Sequence, residues 1–184
     1  MVEEWERPKL IQIVDTETTS IYTKPTDIIQ FTSIITDEHY ECVIYRQNYF
    51  FYSPNMTPAQ CDFFGFDMEY YKTHYIEDFA SRVSDIETVL GYTNHEMYAY
   101  NSSFDHRVIQ DNMLRGGMPL PQLTHVNVMK KRKKLEVALL ELGITEEMIK
   151  ERTLQIFGEC NSFHDSRFDT VATLCLMKAT NFHK

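Results

Sequence analysis

The chain is poor in residues that interrupt structure: 6 glycines and 6 prolines in 184 positions exclude collagen-like and broadly disordered readings. Its four cysteines, at 42, 61, 160 and 175, form no CxxC pair and no repeated spacing. That argues against a zinc ribbon and a disulfide framework, and for reduced thiols in a cytoplasm-like compartment. No apolar run approaches the roughly 18 residues of a membrane span, and the acidic, proline-broken start MVEEWERPKL is the reverse of a signal peptide. A soluble, cytoplasmic protein without a membrane partner is expected. Positive charge is also scarce, 18 Lys and Arg against 27 Asp and Glu, for a formal charge of −9. This excludes a protein that binds nucleic acid by coating itself in cations, but not one that meets phosphate through metal ions.

What remains is 43% hydrophobic and 13% aromatic, enough to bury one core. No repeat, low-complexity stretch or linker divides the chain, so one domain over residues 1–184 is expected. Residues 9–14 form an apolar run ending in Asp15-Thr16-Glu17 and read as a buried strand that delivers polar groups at its C-terminal end. Strands over 28–36 and 41–46, joined by a turn at 37–39, complete an antiparallel meander. Residues 49–75, dense in aromatics and carrying Pro54 and Pro58, read as short helices and long loops.

Over 77–92 a helix is expected, with Ile76, Phe79, Ala80, Val83, Ile86, Val89 and Leu90 on one buried face. A strand at 97–100 leads through Asn101-Ser102-Ser103, an N-cap, into a helix over 104–115 that ends at Gly116-Gly117. A fifth strand follows at 123–129. Then comes a helix over 134–142, with Leu135, Ala138, Leu139 and Leu142 on one side, and a last helix over 166–180. The order β-β-β-α-β-α-β-α-α describes an α/β fold, a five-stranded mixed sheet with helices on its faces.

Three groups of residues carry chemistry. Residues two apart on a strand share a face, so Asp15 and Glu17 present adjacent carboxylates, which is costly unless a cation joins them. Such oxygen donors suit Mg²⁺ or Mn²⁺ better than zinc. Asp105 falls in the first turn of a helix that starts where the fourth strand ends. Its bland role is to match the helix dipole, but in α/β folds active sites gather at the carboxyl ends of strands. His164 and Asp169 stand five apart near the C-terminus and reach one centre only if His164 lies on the loop before the last helix. The alternative is that Asp165 or Asp169 complements that helix N-terminus and His164 is an exposed loop residue.

Together these resemble the DnaQ-like, DEDDh-type 3′→5′ exonucleases of the RNase H-like superfamily. The first motif stands as Asp15-Thr16-Glu17-Thr18-Thr19, the second as Asn101, Phe104 and Asp105, and the third as His164 with Asp169. Asp165 stands where the tyrosine branch would carry Tyr, so the resemblance is to the histidine branch. It covers about residues 9–178, with 139–144 resembling the helix before the third motif. Two departures stand out: Ser20, where many members have Gly, and Ser166, where Ala is commoner.

The resemblance implies an RNase H-like fold with three antiparallel strands followed by two parallel ones. It implies two Mg²⁺ or Mn²⁺ ions held by Asp15, Glu17, Asp105 and Asp169, with His164 as general base, releasing nucleoside 5′-monophosphates from single-stranded or frayed 3′ ends. DNA is the expected substrate; RNA ends are the alternative, and a non-catalytic module of the same fold is a third reading. A polymerase or other replication protein would be a separate chain. Thr16 and Thr18 are implied to position the terminal sugar. Phe104 and one or more of Phe63, Phe64 and Phe66, Phe66 foremost, are candidates to stack on terminal bases, against the usual fate of aromatic rings in a core. The basic run 130–134 either tracks the nucleic-acid backbone or is a solvated helix start.

Overall fold

Side-chain alternation along the first strand, β1 (Leu10–Thr18), divides the molecule. Its odd residues Ile11 and Ile13 join a core with Phe168, Val171 and Ala172 of the long C-terminal helix. Its even residue Val14 joins a second core with Ile86, Val89, Val108 and Ile109 on the opposite side of the sheet. The computed structural model describes residues 9–21, 25–129, 133–159 and 164–182. Cys160 and three residues of the basic run, Lys130, Lys131 and Arg132, lie outside them.

Strand β2 (Ile28–Asp37) pairs antiparallel with β1 and with β3 (Val43–Phe50). On the other side of β1 lie β4 (Glu96–Ala99), parallel to it, and then β5 (Thr124–Asn127), parallel to β4. The sheet order is β3-β2-β1-β4-β5, a five-stranded mixed sheet with three antiparallel strands and two parallel ones. Helices α1 (Pro58–Phe63) and α2 (Met68–His74) fill the aromatic segment. After them come α3 (Val83–Gly91), α4 (Ser102–Arg115), α5 (Leu135–Leu140), α6 (Glu146–Phe157) and α7 (Ser166–Thr180).

Several elements differ from the sequence reading. The third strand starts at Val43, because the Asp37 carboxylate accepts from the amides of His39, Glu41 and Cys42 and extends the turn. It runs on to Phe50, since β2 is long enough to pair Gln30 with that residue. The helix expected over 77–92 is a 3-10 turn (Phe79–Arg82), capped by the Asp78 carboxylate, followed by α3. Ile76 therefore precedes the helix and is 80% exposed, and Ala80 is exposed as well. Helix α5 stops at Leu140, and Leu142 lies beyond it in a turn, exposed instead of packed.

Helix α6 was absent from the expected order, and it is α6, not residues 139–144, that precedes the third motif. Its inward stripe is Ile149, Thr153 and Ile156. A polar residue at the centre of that stripe breaks the apolar period, although the Thr153 hydroxyl is satisfied by the Ile149 carbonyl at 2.8 Å. Gly158, at φ 82°, closes the helix in the left-handed region that favours glycine.

Candidate active site

Asp15 and Glu17 continue the odd face of β1, so they project toward α7. There Asp169, in the first turn, meets them. Thr16 points to the even face and there meets Asp105, in the first turn of α4. The Thr16 hydroxyl and amide both donate to Asp105 Oδ1, at 2.8 and 3.1 Å. Four carboxylates from one strand and two helix N-termini thus converge at the carboxyl end of β1. Both helices present their positive ends there, which favours negative charge.

That help falls short of the cost of gathering the carboxylates. Asp105 is buried, and Asp15, Glu17 and Asp169 are half-buried at the cleft. Burial, reinforced by Asp169 and Asp105, raises Asp15 and Glu17 well above the usual carboxylate range. Burial pushes Asp105 and Asp169 up to about 7, against the opposing hydrogen bonds from Thr16 and from the His164 amide. Among the described residues no Lys or Arg forms an ion pair with any of the four. Asp169 Oδ1 is buried and has no hydrogen-bond partner among them either. Crowded, unpaired hard-oxygen donors with an orphaned lone pair are a donor set for Mg²⁺ or Mn²⁺, so the residues present fit such ions.

His164 does lie on the loop before α7. Its backbone adopts φ 71° and its amide donates to Asp169 Oδ2 at 3.2 Å. One ligand atom each of Glu17, His164 and Asp169 lie within 4.8 Å of one another. Asp165, the N-cap of α7, is a separate matter. It is buried in an ion pair with Arg167 at 2.6 Å and accepts from Gln30 at 2.9 Å.

Sequence reasoning missed the polar network that seats the α7 N-terminus. Gln30 bridges Asp165 and the Ser166 amide, Thr32 bonds the Ser166 hydroxyl at 2.5 Å and Asn48 at 2.7 Å, and Arg167 reaches Asp165 and Glu159 and lies over the Phe50 ring. Ser166, noted as a departure from Ala, thereby gains a partner in β2. The available signal was Gln30 and Thr32, polar residues set among the isoleucines and phenylalanine of a strand (Ile28–Asp37) that is buried on both faces.

The remaining candidates sit at varying distance from the acids. The Thr18 hydroxyl donates to the Ser20 carbonyl at 3.3 Å. Phe104, half-buried, packs on the α3–α4 core with Arg107 over its ring. Phe66 stacks among Phe64, Tyr71 and Tyr75. With Phe64 it lines a cavity of about 20 Å³ shared with Glu17 and His164, and also a groove of about 980 Å³ bordered by Tyr70, His74 and Lys150. Of the basic run, Lys133 is engaged by Glu141 at 2.5 Å.

No family model and no curated protein matches the chain. Solved structures do. The zinc-bound E. coli ExoI–ssDNA complex aligns over 97% of this chain and 41% of that one, with 18% identity and a TM-score of 0.67. The E. coli exonuclease I complex with a dT13 oligonucleotide aligns over 94% and 41%, with 18% identity and a TM-score of 0.65. The nuclease domain of 3′hExo, a DEDDh family member bound to rAMP, aligns over 95% and 93%, with 12% identity and a TM-score of 0.68. The chain spans about 41% of the length of exonuclease I and nearly all of the 3′hExo nuclease domain. Its fold is that of these RNase H-like exonuclease domains, and among the described residues no helix is long and apolar enough to cross a membrane.

Proposed function

We propose that the chain is a metal-dependent 3′→5′ exonuclease that removes nucleoside 5′-monophosphates from single-stranded or frayed 3′ ends, DNA ends first, in proofreading or end trimming. The observation that carries this reading is the enclosed, unneutralised group Asp15, Glu17, Asp105 and Asp169 with its orphaned Asp169 oxygen. These four would hold two Mg²⁺ or Mn²⁺ ions, which when bound supply neutralisation of the phosphate and activation of the attacking water. His164, exposed on its loop beside Asp169, accepts the proton of that water. Thr16 fixes Asp105, and Thr18 lies on the same strand end to meet the terminal sugar. Phe104 and Phe66 offer ring faces to terminal bases.

RNA is the second substrate to test, because 3′hExo is held with rAMP whereas ExoI is held with single-stranded DNA. The test is a time course with Mg²⁺ or Mn²⁺ on matched 5′-labelled DNA and RNA oligonucleotides, with Asp15→Ala as control. A descending ladder from wild type alone supports the reading and ranks the two sugars. Equal cleavage by the variant, or none by either protein, refutes it.

A further inference from the structure

The His164 imidazole has little to hold it. The residue stands at φ 71°, its amide is committed to Asp169, and among the described residues no hydrogen bond reaches the ring. The ring does touch Phe63, with centroids 4.4 Å apart and planes at 45°. Phe63 leaves 60% of its surface in water, so core packing does not explain where it sits.

The segment behind Phe63 is firmly set. Helix α1 opens with a capping box in which Thr57 and Gln60 bond each other reciprocally. The Gln60 side chain also donates to the Thr19 carbonyl, two residues past Glu17. Cys61 is fully buried, and Phe64 meets the Phe63 ring edge-on at 5.2 Å. The helix that carries Phe63 is thereby tied to the end of the strand that carries Glu17.

We propose that Phe63 is a positioning residue: its ring buttresses the His164 imidazole and keeps it on the Glu17 and Asp169 side of the cleft. What His164 does there rests on the exonuclease reading; the contact itself does not. His164 stands just before the first turn of α7, and a base misplaced by an ångström loses much of its rate, so an apolar wall beside the imidazole raises turnover without touching substrate.

The variants are Phe63→Leu, which keeps apolar bulk but removes the ring, and Phe63→Tyr, which restores it; melting temperatures check that both fold. For Phe63→Leu, kcat is expected to fall roughly 10- to 100-fold, with KM within about twofold of wild type. Phe63→Tyr recovers it, and in a His164→Ala background Phe63→Leu costs nothing more. In the metal-free protein the His164 ring-proton NMR resonances shift in Phe63→Leu and stay near wild type in Phe63→Tyr. Unchanged resonances overturn the proposal, as does an additive loss in the double variant. A loss confined to KM that vanishes on a 3′-terminal abasic oligonucleotide also overturns it, assigning Phe63 to the terminal base instead. The NMR comparison needs no turnover, so an inactive wild type defeats the exonuclease reading while this inference is still decided.

Discussion

Thr16 holds Asp105 twice over, its hydroxyl at 2.8 Å and its amide at 3.1 Å from the same carboxylate oxygen. The bond ties α4 to the end of β1 from the face opposite Asp15 and Glu17. It leaves Asp105 Oδ2 for other work and sets where that oxygen points. A threonine between two acidic residues is in this way a support for a third acid from a distant helix.

Replacing Thr16 with Val keeps the side-chain volume and the amide bond but removes the hydroxyl. Loss of an outer hydrogen bond to a metal-binding carboxylate typically weakens binding 10- to 100-fold, and Mn²⁺ affinity is expected to fall by about that factor. Titration calorimetry checks it. An unchanged affinity would mean that the amide alone orients Asp105.

The metal-free protein should lose stability as pH rises. A carboxylate whose pKa is raised in the folded state binds more protons there than in the unfolded chain, so stability declines from near pH 4 through about pH 7, where Asp105 and Asp169 ionise. The melting temperature is expected to be higher at pH 5 than at pH 8, and saturating Mg²⁺ to recover much of the difference. Asp169→Asn removes one of the crowded charges and should raise the metal-free melting temperature at pH 8 by about 2–8 °C, roughly 1–2 kcal/mol at this size. Differential scanning calorimetry at both pH values reads all three effects.

Arg167 and Asp165 are 5% and 4% exposed and hold the entry to α7. Arg167→Met leaves the Asp165 charge buried with only neutral partners, a change that costs about 3–5 kcal/mol. The urea midpoint should fall accordingly, and activity with it, because Asp169 and His164 depend on the same helix start. A midpoint within experimental error of wild type would show that the pair contributes nothing net.

His164→Ala is expected to leave Mn²⁺ binding nearly intact and to slow turnover by roughly 10²- to 10⁴-fold, the range for a lost general base. Single-turnover kinetics at saturating metal read the chemical step directly. A collapse of metal affinity instead would make His164 a ligand.

The sheet and the acids were legible for physical reasons. β1, β2 and α7 are long and rich in apolar residues, and Asp15, Glu17, Asp105 and Asp169 each fall at a strand end or in a first helical turn. Helix α6 was not legible, because Thr153 interrupts its inward stripe and the compensating bond to Ile149 is visible only in three dimensions. Nor were Gln30, Thr32 and Arg167: each alone is an ordinary polar residue, and the network that joins them to Asp165 and Ser166 spans more than 130 positions of sequence. The sequence marked Phe63 as a ring that could stack on a base, but its contact with His164, far along the chain, was not legible.

The central claim is that cations held by the acidic group drive hydrolysis from the 3′ end. The most direct measurement strips the protein with a chelator, restores Mn²⁺, and identifies the first product released from a single-stranded oligonucleotide by chromatography. The account requires that the product be the 3′-terminal nucleoside 5′-monophosphate, absent before Mn²⁺ is added. Internal fragments, a 3′-monophosphate, or no release with Mn²⁺ demonstrably bound would contradict it.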